Sequence, residues 1–70
     1  MIKCHLSRIM GEKKLRVADV ARAVGVHRNA ITLLYEETAT RLDMDTIDRL
    51  CAFLDCRMQD LFEYIPDGDN

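Results

Sequence analysis

Seventy residues, 49% of them hydrophobic and 31% charged, suffice for one domain, and so short a chain buries only roughly 60% of the surface its unfolded form exposes. No apolar run approaches the ~20 residues needed to span a bilayer, and the start MIKCHLSR has no apolar signal core, which points to a cytoplasmic protein without a membrane partner. The net charge of −2 divides unevenly: residues 1–35 carry seven basic and two acidic side chains, residues 36–70 three basic and ten acidic, so only the first half suits a polyanion.

One Pro, three Gly and the lack of alternating β-branched runs predict an all-α chain of five short helices. The first is expected from about Lys3 to Lys13, where Leu6, Ile9, Met10 and the preceding Ile2 fall at helical spacing and Gly11 weakens the last turn. A second follows Leu15 and Arg16, with Val17, Val20, Ala21 and Val24 as its apolar positions, and Gly25 stops it by supplying a left-handed residue. A third, about Arg28 to Glu36, sets Ile31, Leu34 and Tyr35 on one side, and 37–42 is polar and irregular. Asp43 is a natural N-cap for a fourth helix with Asp45 in its first turn and an inward stripe of Ile47, Leu50, Cys51 and Leu54. A fifth, about Met58 to Tyr64, carries Leu61 and Phe62. Residues 1–66 thus read as one domain, and 67–70 as a short acidic tail.

Other chemistries find little support. Cys4, Cys51 and Cys56 are an odd number without export signals, so they read as reduced, buried apolar thiols rather than a disulfide framework. No CxxC or HxxxH spacing makes a metal site of them with His5, and no cofactor is expected. Asp43, Asp45 and Asp48 lack the glycine and glutamate of a calcium loop and read as solvated helix charges. Ser7, the only serine, lies on a different helix face from His5 and cannot form a nucleophile–base pair with it. The chain is not expected to be an enzyme.

The second and third helices carry the functional signal. With Val17 as position 1 of a window of about twenty residues, apolar side chains fall at positions 4, 8, 10, 15 and 18 (Val20, Val24, Val26, Ile31, Leu34), a small Ala21 at 5 and Gly25 at 9. Ala21 lets two helices approach closely, Gly25 makes the turn, and Val26, Ile31 and Leu34 hold the next helix in place. This is the helix-turn-helix pattern.

With that motif, the opening IleLysCysHisLeuSerArgIleMet and the closing LeuCysAlaPheLeuAspCys and AspLeuPheGluTyr, the chain resembles the small phage repressor and Cro-like, or XRE-type, helix-turn-helix regulators over about residues 2–65. The resemblance implies a compact five-helix repressor-type domain that binds duplex DNA sequence-specifically, usually as a two-fold homodimer on a palindromic operator, with the third helix in the major groove. Carried onto this chain, the base-reading positions are His27, Arg28, Asn29, Thr32 and Leu33. Arg28 suits a bidentate contact to guanine and Asn29 one to adenine. Leu33 could pack on a thymine methyl, on a partner protein or on the fourth helix. Phosphate contacts fall to Lys13, Lys14, Arg16 and Arg41.

Two kinds of departure accompany the likeness. Arg16 and His27 stand where the family has Ser or Thr caps, each a weak cap expected to cost about 1 kcal/mol. Glu36 and Glu37 follow the third helix near the expected phosphate strand and should repel it, and the low total charge predicts weak, salt-sensitive non-specific binding. Phe53, Met58, Tyr64 and Ile65 read either as packing for the fifth helix or as a homodimer interface. The leading expectation is a small transcriptional regulator, a repressor in its simplest form. The alternative is a protein-interaction module, an antitoxin or phage-type adaptor, whose acidic second half meets a basic protein partner.

Overall fold

The computed structural model describes residues 1–66; the acidic tail expected at 67–70 lies outside the described residues. In chain order the elements are β1 (Ile2–Cys4), α1 (Leu6–Glu12), α2 (Val17–Val24), α3 (Arg28–Tyr35), α4 (Met44–Leu54), α5 (Met58–Leu61) and β2 (Phe62–Tyr64). All five expected helices are present, but the chain is not strictly all-α. β1 and β2 pair antiparallel, with Ile2 opposite Tyr64, Lys3 opposite Glu63 and Cys4 opposite Phe62.

That hairpin corrects both ends of the sequence reading. The first helix begins at Leu6, not near Lys3, and the fifth stops at Leu61, not Tyr64. The physical reason is a long-range backbone match: the Met1 amino group donates to the Ile65 carbonyl at 2.8 Å, and Ile65 N–H returns to the Met1 carbonyl at 2.8 Å. Farther along the hairpin, His5 N–H donates to the Leu61 carbonyl, also at 2.8 Å. Extended pairing satisfies backbone groups that single-turn helix ends would leave open. On the outer face His5 Nε2 meets Glu63 Oε1 at 2.8 Å.

The core is dry. It consists of Cys4, Leu6, Ile9, Met10, Val20, Ala21, Val24, Ile31, Leu34, Ile47, Leu50, Leu54 and Leu61, and no polar side chain is buried among the described residues. Each of the longer helices contributes because helical spacing gives it a stripe of two or three inward residues. Burial holds the Cys4 thiol above its ordinary pKa, with Glu37 acting in the same direction and a hydrogen bond to the Leu6 backbone opposing. Cys51 and Cys56 are only half-buried, so the expectation of three buried thiols holds for Cys4 alone, and Cys51 flanks rather than joins the α4 stripe.

Helix ends explain where the chain turns. Gly25 ends α2 with φ 80°, and its N–H donates to the Ala21 carbonyl at 2.9 Å. Other helix-ending turns use the same left-handed conformation without glycine, at Lys14 (φ 56°), Glu37 (φ 59°) and Asp55 (φ 52°). After α3, for example, Glu37 N–H donates to the Leu34 carbonyl at 3.2 Å and Thr38 N–H to Leu33 at 2.9 Å. That pair of bonds closes a Schellman turn and satisfies the orphan carbonyls. Gly11 lies inside α1, where nothing stands within 4 Å of the place a β-carbon would occupy.

Candidate nucleic-acid interface

α2 and α3 pack together more extensively than any other helix pair, and α4 backs α2 while α1 backs α3. Of the scaffold residues read from the motif, Val20, Ala21, Val24, Ile31 and Leu34 are buried and Val26 is partly buried against the same core. Gly25 supplies the turn. Because Ile31 and Leu34 take the inward face of α3, positions 28, 29, 32 and 33 are turned outward.

His27, Arg28 and Asn29 are all exposed at the start of α3. His27 is a better cap than its residue type suggested: its Nδ1 accepts the Asn29 backbone N–H at 3.0 Å. An accepting Nδ1 leaves the ring proton on Nε2, so the neutral imidazole caps the helix through one nitrogen and offers a donor through the other. Arg28 and Asn29 make no side-chain hydrogen bond or ion pair among the described residues. Thr32 is half-buried, and its hydroxyl donates to the Arg28 carbonyl at 3.1 Å, so its proton is already committed to the helix. Leu33 is 38% exposed and rims a hollow of about 130 Å³ with Ala30, Ala39, Arg41 and Leu42.

The expected phosphate-contacting residues sit at element junctions. Lys13 and Lys14 form the turn after α1, and Arg16 is the N-cap of α2. Arg16 offers no side-chain cap; the Asp19 carboxylate reaches back instead and accepts Arg16 N–H at 3.2 Å, which removes part of the expected penalty of about 1 kcal/mol. Arg41 is exposed in the α3–α4 connection. None of Lys13, Lys14, Arg16, Arg28 and Arg41 has an ion-pair partner among the described residues. The cations farther along are already engaged: Arg49 pairs with Asp45 at 3.0 Å and Arg57 with Asp60 at 3.8 Å.

Glu36 and Glu37 part company. Glu36 is an exposed C-cap, whereas Glu37 reaches back to β1, where its Oε1 accepts the Cys4 backbone N–H at 3.2 Å. Glu37 therefore ties the end of α3 to the hairpin while its carboxylate keeps its charge. Sequence reading also missed Arg49, whose Nη1 donates to the Val24 carbonyl at 3.3 Å. Its spacing four residues after Asp45 signals the ion pair, but nothing local signals its reach to α2.

Among the dimer candidates, Phe53 on α4 and Met58 on α5 are 42% and 45% exposed, and Tyr64 is 66% exposed. Ile65 is half-buried, with its backbone joined to Met1. Tyr64 thus belongs to the hairpin, not to the fifth helix as expected, and Ile65 follows it on the same side. Among the described residues no three His, Cys, Asp or Glu side chains come together as they would around a metal ion, and no helix is long and apolar enough to cross a membrane.

A clamped helix pair with a cationic and amide edge left open defines a helix-turn-helix module, and residues 5–67 match the Cro/C1-type HTH DNA-binding domain. The chain belongs to that family. It is also 25% identical over 65 residues, 93% of this chain and 77% of the relative, to a protein of Bacillus subtilis (strain 168) described as an uncharacterized HTH-type transcriptional regulator, YozG.

Proposed function

We propose that the protein is a non-enzymatic transcriptional regulator that binds a short palindromic duplex operator as a homodimer and represses by occluding the site. Residues 1–66 act as a single DNA-binding domain, working in the cytoplasm where the DNA is. The reading rests above all on the start of α3, where Arg28 and Asn29 stand exposed, with no side-chain partner among the described residues, on a helix fixed by Ile31 and Leu34. In it α3 enters the major groove, Arg28 and Asn29 read base edges, and His27, Thr32 and Leu33 complete the contact. Lys13, Lys14, Arg16 and Arg41 neutralise phosphates. Exposed Phe53, Met58 and Tyr64 supply apolar surface for a second copy.

Selection from a random duplex library at moderate salt tests the proposal. An enriched palindrome is expected, and Arg28→Ala should lose about 1–3 kcal/mol at one base pair per half-site while other positions keep their preference. Absence of enrichment at low salt would sink the reading. Sedimentation with and without the selected duplex checks the two-fold assembly, which requires two chains per palindrome.

A further inference from the structure

The α4–α5 corner contains chemistry that DNA recognition does not use. α4 ends at Leu54, Asp55 takes the left-handed conformation, and Cys56 N–H donates to the Cys51 carbonyl at 3.1 Å. This six-to-one bond is the signature of a Schellman turn, in which the side chains at the two ends of the bond are brought against each other. Here both are cysteines, both free and both half-buried. A backbone bond of this length also keeps the two Cα atoms near the roughly 4.4–6.8 Å separation that a disulfide requires. The third cysteine, Cys4, is buried in strand β1, far away in the sequence, and serves as an internal reference.

We propose that Cys51 and Cys56 form a redox modification site, a dithiol that hydrogen peroxide closes into an intramolecular disulfide across the end of α4.

Burial pushes the Cys56 thiol above its ordinary pKa, with the neighbouring Cys51 and Asp60 acting in the same direction and Lys13 opposing. That shift holds Cys56 as the thiol, and peroxide oxidises Cys51 first. The Cys51 thiolate sulfur attacks one peroxide oxygen, the O–O bond breaks, and the departing hydroxide takes a proton to become water. Sulfur has given up two electrons, the peroxide has been reduced, and Cys51 is a neutral sulfenic acid. Cys56 then loses its proton, its sulfur attacks Cys51, the S–S bond forms, and the S–O bond breaks to release a second water. The turn already holds the two residues next to each other, which favours closure within one chain over a bond between chains.

The test uses the full chain treated with hydrogen peroxide and digested with trypsin without reduction. Cleavage after Arg49 and Arg57 leaves both cysteines on one peptide, residues 50–57, and separates them from Cys4. That peptide should lose about 2 Da, two hydrogens, and regain them with dithiothreitol, while Cys4 remains available for alkylation after unfolding. The oxidised protein should melt at a higher temperature than the reduced one, because the cross-link restricts the unfolded chain. In Cys56→Ser the same treatment should carry Cys51 on to the irreversible sulfinic acid. The proposal is overturned if peroxide leaves 50–57 unchanged, if it yields only oxygen adducts or intermolecular disulfides in the unaltered chain, or if the closed form melts lower than the reduced one.

Discussion

Arg49 Nη1 donates to the Val24 carbonyl at 3.3 Å across 25 residues of sequence, so a guanidinium from α4 closes the last turn of α2 beside the glycine that leads into α3. Its other amino group is held at 3.0 Å by Asp45. The carbonyl end of a helix carries partial negative charge, which favours a cation there. Arg49→Ala should therefore lower stability by about 1 kcal/mol, read as a shift in the urea midpoint with unchanged slope. Asp45→Ala should cost less, since it loosens the arginine without removing it.

Two glycines should respond to alanine in opposite directions. Gly25 has φ 80°, and a methyl there would meet Arg49 Nη1 only at an ordinary contact distance of 3.5 Å, so the backbone conformation is what should make Gly25→Ala cost about 1–2 kcal/mol. Gly11 occupies an ordinary turn of α1 with open space around it, and Gly11→Ala should stabilise by about 0.5–1 kcal/mol. Paired denaturation curves check both signs.

The cap on α3 separates folding from recognition at His27. Its Nδ1 accepts the Asn29 N–H at 3.0 Å, so His27→Ala should cost about 1 kcal/mol, and His27→Ser should recover most of it because serine supplies an equivalent acceptor. If the Nε2 donor serves DNA, His27→Ser should restore the melting temperature while binding of the selected duplex stays weakened. Melting curves and fluorescence anisotropy read the two effects separately.

Glu36 and Glu37, adjacent in the chain, should behave differently. Glu36→Gln removes an exposed charge that makes no side-chain bond among the described residues, and should tighten duplex binding with little change in stability. Glu37→Ala removes the acceptor for Cys4 N–H, 3.2 Å away, and should cost about 1 kcal/mol of stability with duplex affinity changed far less. Equal tightening by both substitutions would contradict the role assigned to Glu37.

Much of the interface was legible because its rules are local. The spacing of Val20, Ala21, Val24, Val26, Ile31 and Leu34 around Gly25 encodes two helices and the turn between them, since the inward stripe and the left-handed residue both act within a few positions of the chain. The Asp43 cap of α4 is of the same kind, with its carboxylate accepting Thr46 N–H at 3.2 Å. The ends of three helices were harder to read because Lys14, Glu37 and Asp55 do there what glycine usually does. The local backbone bonds of these turns hold a side-chain-bearing residue in that conformation, which a rule keyed to glycine does not register.

The α2–turn–α3 module, the outward face of α3 and the uneven split of charge thus follow from the order of residues alone, because periodicity, caps and composition are written into near neighbours. Long-range contacts, in contrast, make Ile2–Cys4 a strand, seat Glu37 on the Cys4 amide and bring Arg49 to the end of α2. Those relationships join residues 25, 33 and up to 64 positions apart. Their energies exist only after the core has brought distant backbone groups together, and no local pattern announces the partner.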